Sequence, residues 1–344
     1  MRIFFLAVFV LVSTENSFGQ SITEKIDSIV HSRDSLSPFN GVIIFANDVD
    51  DVTTLKYGYT DPLTKKQKIS SNDRFDLASL TKQFTGLAVL QLIRDGHLHA
   101  EDTIGGFVPG LKPAPGAVTI RQLANHTNGI HDFYSMLPEK DFNDHQKILD
   151  TLCSLDSTVF TPGTKWGYSN SGYFLLGEII SSVSKTTYTD YCEKQILSKL
   201  KMSGARFAPC KKVLRGYTKE LKPVAFISTS YGDGGLYANA NDMVAYFKSV
   251  CQNPDLWNPL FDLAESLSDK SNTENWNYGF GWYFSQDTLG KFRAHSGKNP
   301  GADTYIRWYP DRQIFLCILS NKSDPGHKAL REEIMTAIVG TLEK

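Results

Sequence analysis

The strongest pattern of apolar and polar positions in this chain follows residue 79. Apolar residues recur there at helical spacing, at Leu80, Phe84, Leu87, Ala88 and Leu92. A polar, turn-prone segment at 70–73 precedes this run, and Gly96 follows it where a helix would end. The pattern therefore predicts a buried helix that begins at Ser79.

The two ends of the chain are rich in strand patterns. Near the start, apolar positions between 21 and 33 repeat at helical spacing, and strands are predicted at 41–46 and 52–59. Near the end, strands are predicted at 280–284, 291–295, 305–309 and 314–320, followed by a last helix. This order predicts one antiparallel sheet, built from both chain ends and flanked by helices.

The middle of the chain has a different character. Beyond Gly96 the segments are short and broken by glycine and proline, and helices are predicted at 119–123, 173–183 and from Thr187. Asn239 and Asp242 are predicted to cap a further helix. The expected fold class is α/β of the α+β type, with a sheet domain of residues 20–100 and 221–344 and an inserted helical lobe of residues 101–220.

The first nineteen residues form a segment of their own. Arg2 gives a positive start, 3–12 are apolar, and 17–19 resemble a small-x-small cleavage site. This pattern is typical of a secretory signal peptide, and its apolar run is too short to span a bilayer. We therefore expect residues 1–19 to be removed, and the mature protein to be secreted or periplasmic without a stable membrane anchor.

The charge balance of the chain bears on the partners that it could bind. Lys and Arg number 36 against 37 Asp and Glu, which gives no basis for nucleic-acid binding.

Export permits disulfides, but the five cysteines are odd in number and match no zinc spacing. They are Cys153, Cys192, Cys210, Cys251 and Cys317. No disulfide pairing, cofactor or oligomeric state is predicted.

Ser79 and Lys82 are the first candidates for chemistry. Ser79 lies near the positive end of the predicted helix dipole, and Lys82 lies one turn further on the same face. A serine beside an amine is the minimal arrangement for an activated oxygen nucleophile, whereas the alternative for Ser79 is an N-cap. Two other Ser-x-x-Lys pairs, Ser182 with Lys185 and Ser198 with Lys201, lie late in predicted helices and are interpreted as structural.

Two further triplets accompany this pair, Tyr168-Ser169-Asn170 and His295-Ser296-Gly297. Together with 123–129 and 162–177, these motifs resemble the serine hydrolases related to class C β-lactamases and D-alanyl-D-alanine carboxypeptidases. That family includes penicillin-recognising esterases and D-amino-acid peptidases, and the resemblance covers residues 30–340. The chain departs from the family at Asn128, where serine is usual, and at His295, where many relatives have lysine.

Two other triplets repeat parts of these motifs. They are Tyr237-Ala238-Asn239 and Lys56-Tyr57-Gly58. Both lie outside the order of the family's motifs, so they are interpreted as structural.

The resemblance implies a role for each catalytic residue. Ser79 would form an acyl-enzyme, and Lys82 and Tyr168 would handle its proton, with the primary base left open between them. Lys82 serves as a base only when it is neutral, a state that burial favours. Asn170 would hydrogen-bond Lys82 or the substrate amide.

The resemblance also implies how the substrate is held. The backbone N–H groups of Ser79 and Lys298 would form the oxyanion hole. His295 would polarise the tyrosine hydroxyl or contact a substrate carboxylate as a titratable anchor. Gly297 would let the substrate lie close along the strand edge.

Several functions are compatible with these residues. The leading hypothesis is an exported serine hydrolase that cleaves a small ester, amide or D-amino-acid peptide, since His295 in place of lysine favours the esterase and peptidase branches. The alternatives are a β-lactamase or D-alanyl-D-alanine carboxypeptidase, and a catalytically silent module that binds cell-wall peptides. His126 and His131 raise the further hypothesis of a metal hydrolase, but no third ligand completes their site, so no metal is expected.

Overall fold

A computed structural model describes residues 16–33, 37–210, 212–225, 230–272 and 275–343. The α-helices are α1 (Asn16–Ser32), α2 (Thr81–Arg94), α3 (Pro113–Gly116), α4 (Ile120–Ala124), α5 (His145–Ser154), α6 (Asn170–Ser184), α7 (Tyr188–Cys192), α8 (Ala240–Gln252), α9 (Pro254–Leu267) and α10 (His327–Leu342). The strands are β1 (Gly41–Ala46), β2 (Val52–Tyr57), β3 (Phe75–Asp76), β4 (Arg206–Phe207), β5 (Leu236–Ala238), β6 (Asp269–Lys270), β7 (Asn277–Gly279), β8 (Trp282–Asp287), β9 (Gly290–Asn299), β10 (Ala302–Tyr309) and β11 (Ile314–Ser320).

The main sheet is antiparallel and joins the two ends of the chain. Its strand order is β2-β1-β11-β10-β9-β8-β7-β6. Strand β1 pairs with β11 in a register that places Gly41 opposite Ser320. The predicted fold class, an antiparallel sheet flanked by helices, is confirmed.

Helices cover both faces of this sheet. Successive side chains of a strand point to opposite faces, so Ile43 and Phe45 pack towards α1 and α10 while Val42 and Ile44 pack towards the larger core around α2. Because both faces are covered, every residue of β1 and β11 is buried. Such strands read as continuous apolar runs, which explains why the sequence pattern predicts them well.

Helix α2 lies at the centre of the larger core, and twelve of its fourteen residues are buried. Two glycines allow this position. A Cβ on Gly86 would lie 2.0 Å from the carbonyl oxygen of Phe280, and one on Gly281 would lie 2.4 Å from that of Lys82. The helix backbone therefore rests directly on the 280–281 turn, which ties α2 to the sheet at the start of β8.

The structure differs from the predicted elements in several places. Ser79 lies in a 3₁₀ turn, Ala78–Leu80, and α2 begins at Thr81 rather than at Ser79. Strand β8 begins at Trp282 because Phe280 and Gly281 both have positive φ and form a turn. Helix α9 was not predicted, since prolines at 254 and 259 interrupt its pattern. The second sheet, β3-β5-β4, has strands of two or three residues, too short for a period to show.

Other expectations concern the termini, the caps and the cysteines. The predicted capping box of Asn239 and Asp242 at the start of α8 is confirmed. All five cysteines are free thiols in the structure. Residues 1–15 of the predicted signal peptide lie outside the described residues. Among the helices that the structure describes, none has both the length and the apolar character needed to cross a membrane.

Candidate active site

Ser79 opens onto a cavity of about 570 Å³. The aromatic and polar side chains around it come from distant parts of the chain. Its walls include Tyr134, Tyr168, Asn170, Asp233, His295 and Lys298. The fold therefore brings the three sequence motifs, at 79–82, 168–170 and 295–297, to one cavity.

The turn that presents Ser79 is strained and tightly held. Ala78 has a φ of +48°, a left-handed conformation that non-glycine residues rarely adopt. Its backbone N–H donates to the Asp76 carboxylate at 2.8 Å, and the other oxygen of that carboxylate accepts from the Asn299 amide at 2.8 Å. Asp76 thus joins the nucleophile turn to the end of β9.

Gly297 lies directly beneath this turn. A Cβ at residue 297 would lie 2.4 Å from the Leu77 carbonyl oxygen and 3.0 Å from the Ser79 backbone nitrogen. Thr304 also donates its hydroxyl to the Leu77 carbonyl, at 2.9 Å. The need for glycine here comes from contact with the nucleophile turn, whereas the sequence analysis assigned it to room for the substrate.

Lys82 is fully buried and makes three polar contacts. Its Nζ lies 3.1 Å from Ser79 Oγ, 2.9 Å from Asn170 Oδ1 and 2.9 Å from the backbone oxygen of Asp233. In the part of the chain that the structure describes, no carboxylate lies within 4 Å of it. Burial lowers the pKa of Lys82 to about 8, although the charges of Asp233 and Asp132 oppose that shift.

Tyr168 completes the group around the serine oxygen. It lines the same cavity as Ser79, and its ring centroid lies 5.0 Å from Lys82 Nζ. About a third of the residue is exposed, and the rest of it is buried in the cavity wall. Loss of hydration there raises the pKa of Tyr168, so the side chain remains a neutral phenol at neutral pH.

The loop that carries Tyr168 rests on His126. Its ring nitrogen Nδ1 accepts a hydrogen bond from the Ser169 backbone N–H at 3.1 Å, and its ring lies 4.3 Å from that of Tyr168 and 4.4 Å from that of Tyr278. Burial lowers the pKa of His126, which keeps the ring neutral. Within the described ranges, no three His, Cys, Asp or Glu side chains are placed to hold a metal ion. The packing of His126 thus gives it a supporting role for the tyrosine loop.

Asn170 is oriented by Asp132, a residue that the sequence analysis missed. One oxygen of the Asp132 carboxylate accepts from the Asn170 backbone N–H at 2.7 Å and from its side-chain NH₂ at 3.2 Å. The amide oxygen of Asn170 is left to face Lys82. No spacing pattern identifies Asp132, because this contact joins residues 38 positions apart.

A second carboxylate, that of Asp233, also lies near Lys82. Burial raises its pKa to about 6, and its side chain accepts a hydrogen bond from the Tyr134 hydroxyl at 3.4 Å. Asp233 lies in a turn at 232–235, where Gly232 and Gly235 have positive φ. The structure shows that the backbone oxygen of this turn holds the Lys82 amine.

His295 faces the cavity with both ring nitrogens engaged. Nδ1 donates to the backbone oxygen of Ser296 at 2.7 Å, and Nε2 accepts from the Tyr278 hydroxyl at 2.9 Å. Burial, assisted by the charge of Lys82, lowers the pKa of His295 to about 3. The ring is therefore neutral at neutral pH and does not provide the titratable anchor expected from the sequence.

The end of β9 has an open edge beside the cavity. Pairing between β8 and β9 ends with Tyr283 opposite Ala294, whereas β10 follows β9 as far as Asn299. Lys298 lies on this edge, with its side chain more than half exposed and 3.9 Å from Asp303. The oxyanion hole formed by the backbone N–H groups of Ser79 and Lys298 stays a prediction.

A serine beside a buried amine and a neutral phenol, just before a helix that packs against an antiparallel sheet, defines a serine hydrolase of the acyl-transfer type. Comparison with known proteins agrees with this class. Residues 39–339 match the Beta-lactamase family, and the chain belongs to that family.

Individual relatives are similar to most of the chain. Penicillin-binding protein 4* of Bacillus subtilis (strain 168) is 30% identical over 313 residues, which cover 83% of this chain and 69% of that protein. Protein flp of Staphylococcus aureus (strain N315) is 29% identical over 302 residues, covering 82% of this chain. The matched region spans only 59% of the length of flp.

Solved structures share the fold at lower identity. A penicillin binding protein from Bacillus halodurans superimposes with a TM-score of 0.78 at 21% identity, covering 92% of this chain and 98% of that one. The D-alanine carboxypeptidase AmpC from Burkholderia cenocepacia gives a TM-score of 0.78 at 17% identity, covering 95% and 100%. At these identities the likeness concerns the fold alone.

Proposed function

We propose that this protein is an exported serine hydrolase that forms an acyl-enzyme at Ser79 and cleaves a small ester, amide or D-amino-acid peptide. The observation that carries the proposal is the environment of Lys82. Its amine contacts the serine oxygen, has no carboxylate partner among the described residues, and has a pKa lowered to about 8. At pH 7 about a tenth of such lysines are neutral, which is enough for a general base.

In the proposed acylation, neutral Lys82 accepts the Ser79 hydroxyl proton as the serine oxygen attacks the substrate carbonyl carbon. The amine can donate to Asn170 Oδ1 and the Asp233 backbone oxygen while its lone pair faces Ser79. The raised pKa of Tyr168 makes its phenolate rare, so Lys82 is the better primary base. Tyr168 then relays the proton from the Lys82 ammonium to the leaving oxygen or nitrogen, and the carbonyl–leaving-group bond breaks.

Deacylation uses the same groups in reverse. Water attacks the acyl-serine carbonyl and gives its proton to the Tyr168–Lys82 pair, which returns it to the Ser79 oxygen as the acid product leaves. In both steps the carbonyl oxygen would accept hydrogen bonds from the backbone N–H groups of Ser79 and Lys298. The strained turn at Ala78 holds the first of these donors in place.

The substrate class is supported by the wall at His295 and by the relatives. A neutral His295 adds no charge of its own to the cavity wall, which suits uncharged esters and amides as well as peptides. The relatives include proteins named as penicillin-binding and as a D-alanine carboxypeptidase. A β-lactamase or carboxypeptidase activity is therefore the alternative outcome of a substrate test.

Labelling of Ser79 followed by a substrate panel tests the proposal. A fluorophosphonate should add one mass equivalent to the wild-type protein and none to Ser79→Ala. Turnover is then measured on short-chain aryl esters, D-alanyl peptides and a chromogenic cephalosporin. An unlabelled but folded wild type would contradict the mechanism, and binding of all three substrate types without turnover would support the silent binding module instead.

Export has a separate test. If the N-terminal pattern is a signal peptide, protein recovered from the periplasm or the medium should have the intact mass of a chain that begins near Gln20. A full-length mass in that fraction, or retention of all protein in the cytoplasm, would contradict export.

A further inference from the structure

A second depression adjoins the cavity at Ser79 and is not used by the proposed chemistry. This outer groove has a volume of about 610 Å³ and is lined by Trp276, Tyr305, Arg307, Lys328, Arg331 and Met335. It lies between the sheet face formed by β9 and β10 and the helix α10. Its walls thus combine aromatic surface from the sheet with cationic side chains.

The outer groove shares part of its wall with the cavity at Ser79. Both are bordered by Tyr283, His295 and Ser296. These residues lie at the point where β8 leaves β9, since Tyr283 and Ala294 form the last pair between the two strands. A molecule bound at Ser79 can therefore continue over the open edge of β9 into the outer groove without leaving the protein surface.

The charges of the outer groove leave one cation in excess. Arg307 pairs with Asp287, and Lys328 lies 3.9 Å from Glu332. Arg331 lies over the ring of Tyr305, 5.0 Å from its centroid, and among the described residues no carboxylate comes within 4 Å of its guanidinium. A half-buried guanidinium without an anionic partner, beside aromatic surface, matches a carboxylate bidentately.

We propose that the outer groove is a second substrate subsite, in which Arg331 binds a carboxylate on the part of the substrate remote from the scissile bond. The inference rests on the proposed function, because it extends the substrate of the same serine. It also gives a location for the recognition of negative charge that neutral His295 does not supply. The substrate class is then an ester or amide whose apolar chain crosses the β9 edge and ends in a carboxylate.

Half-esters of dicarboxylic acids test this subsite. Aryl glutarate to aryl sebacate half-esters are compared with their matched methyl esters, in which the distal carboxylate is neutral. We expect wild-type kcat/KM to favour the free carboxylate by about tenfold at the chain length that reaches Arg331, the size of one charge-assisted hydrogen bond. High salt should reduce this preference, because part of Arg331 is exposed.

Two variants localise the effect. Arg331→Gln should abolish the preference and leave the methyl esters within about twofold of wild type, which also shows that the variant is folded. Arg312→Gln removes the same charge from an exposed turn outside the outer groove and should keep the preference. No preference at any chain length in the wild type, or a preference that survives in Arg331→Gln, would overturn the subsite.

A binding measurement separates the subsite from the proposed chemistry. Calorimetric titration of the preferred half-ester into Ser79→Ala protein does not require turnover. The added change Arg331→Gln should weaken this binding at least tenfold. If no substrate is turned over but binding depends on Arg331, the hydrolase proposal is contradicted and the subsite is supported. If methyl esters are turned over but binding does not depend on Arg331, the hydrolase proposal is supported and the subsite is contradicted.

Discussion

Among the residues that the structure describes, two lysines are buried, and their surroundings differ in one respect. Lys82 contacts neutral acceptors, namely a hydroxyl, an amide oxygen and a backbone oxygen. Lys322 also contacts a hydroxyl, that of Ser37, and the backbone oxygen of Pro38, but it has the Asp324 carboxylate 3.4 Å away. Both side chains are almost completely removed from water.

This difference separates a reactive amine from a structural one. Burial lowers the pKa of Lys322 as well, but there the Asp324 carboxylate opposes the shift and holds the ammonium in a buried pair. At Lys82 the nearest negative charges, those of Asp233 and Asp132, are too far away to compensate it, so the neutral amine becomes accessible. Burial alone therefore does not identify a general base. A buried lysine without an ion-pair partner does.

The largest expected effect is the loss of catalysis in Lys82→Met. Without the base, kcat/KM on any substrate of the panel should fall by about 10³-fold. The free energy of unfolding at pH 7 should stay within about 1 kcal/mol of wild type, because the variant removes an unpaired charge but leaves two acceptors unsatisfied. Steady-state kinetics and denaturant unfolding measure the two quantities.

The pH dependence of unfolding gives the control for this variant. The pKa of Lys82 is about 8 in the folded protein and about 10.5 when unfolded, so between these values the unfolded chain binds more protons. Wild-type stability should therefore rise with pH across this window, by up to about 3 kcal/mol, and the rise should be missing in Lys82→Met. An equal rise in both proteins would show that Lys82 keeps its ordinary pKa.

The second effect is on stability, in Lys322→Met. The Asp324 carboxylate would be left buried without its partner, which should lower the free energy of unfolding by about 3 kcal/mol or more. Because Lys322 lies outside the cavity at Ser79, kcat/KM of the folded protein should remain within about twofold of wild type. Denaturant unfolding and the kinetics of the native fraction test both parts.

A double change shows whether the pair is the cause. Lys322→Met combined with Asp324→Leu removes both charges and should recover most of the lost stability. If the double variant is no more stable than the single one, the contribution of Lys322 lies in its contacts with Ser37 and Pro38 instead.

The smallest effect comes from making Lys82 resemble Lys322. Asn170→Asp would place a carboxylate where an amide oxygen now lies 2.9 Å from the Lys82 amine, and this should raise the pKa of Lys82 by a unit or more. Since the base must be neutral, the acidic limb of the kcat/KM profile should move up from about pH 8, and activity at pH 7 should fall about tenfold.

The matched control for this shift is Asn170→Ala. This variant removes the amide without adding charge. The maximal kcat/KM should therefore fall, but the acidic limb of the kcat/KM profile should stay at or below its wild-type pH. If the acidic limb of the kcat/KM profile lies at the same pH in Asn170→Asp and Asn170→Ala, charge at position 170 does not control the pKa of Lys82.

The three motifs, together with the family that they resemble, were sufficient to predict which residues the fold brings together. Ser79, Lys82, Tyr168 and Asn170 occupy one cavity, as expected, and the other Ser-x-x-Lys lysines lie elsewhere, at Lys185 and Lys201, in left-handed positions that end helical segments. The long buried strands were also predicted, because a strand covered on both faces leaves a continuous apolar run.

The groups that tune the site could not be predicted in this way. Asp132 acts through Asn170, and Tyr278 acts through His295, so their contributions depend on contacts between residues that are distant in sequence. The neutral state of His295 depends on its burial, which its position before a glycine does not reveal. For the same reason Gly297 was assigned to the substrate, whereas the three-dimensional contact is with Leu77 and Ser79.

The pairing of β1 with β11 makes the completion of the sheet depend on both ends of the chain. Asn40 and Ser320, which are 280 positions apart, are joined by a hydrogen bond at one end of this pair. Until β11 is available, the apolar strand β1 has only β2 as a neighbour. An incomplete chain therefore exposes an unpaired apolar strand edge. We expect a chain truncated before residue 314 to be inactive and prone to aggregation, because β1 would lack its β11 neighbour.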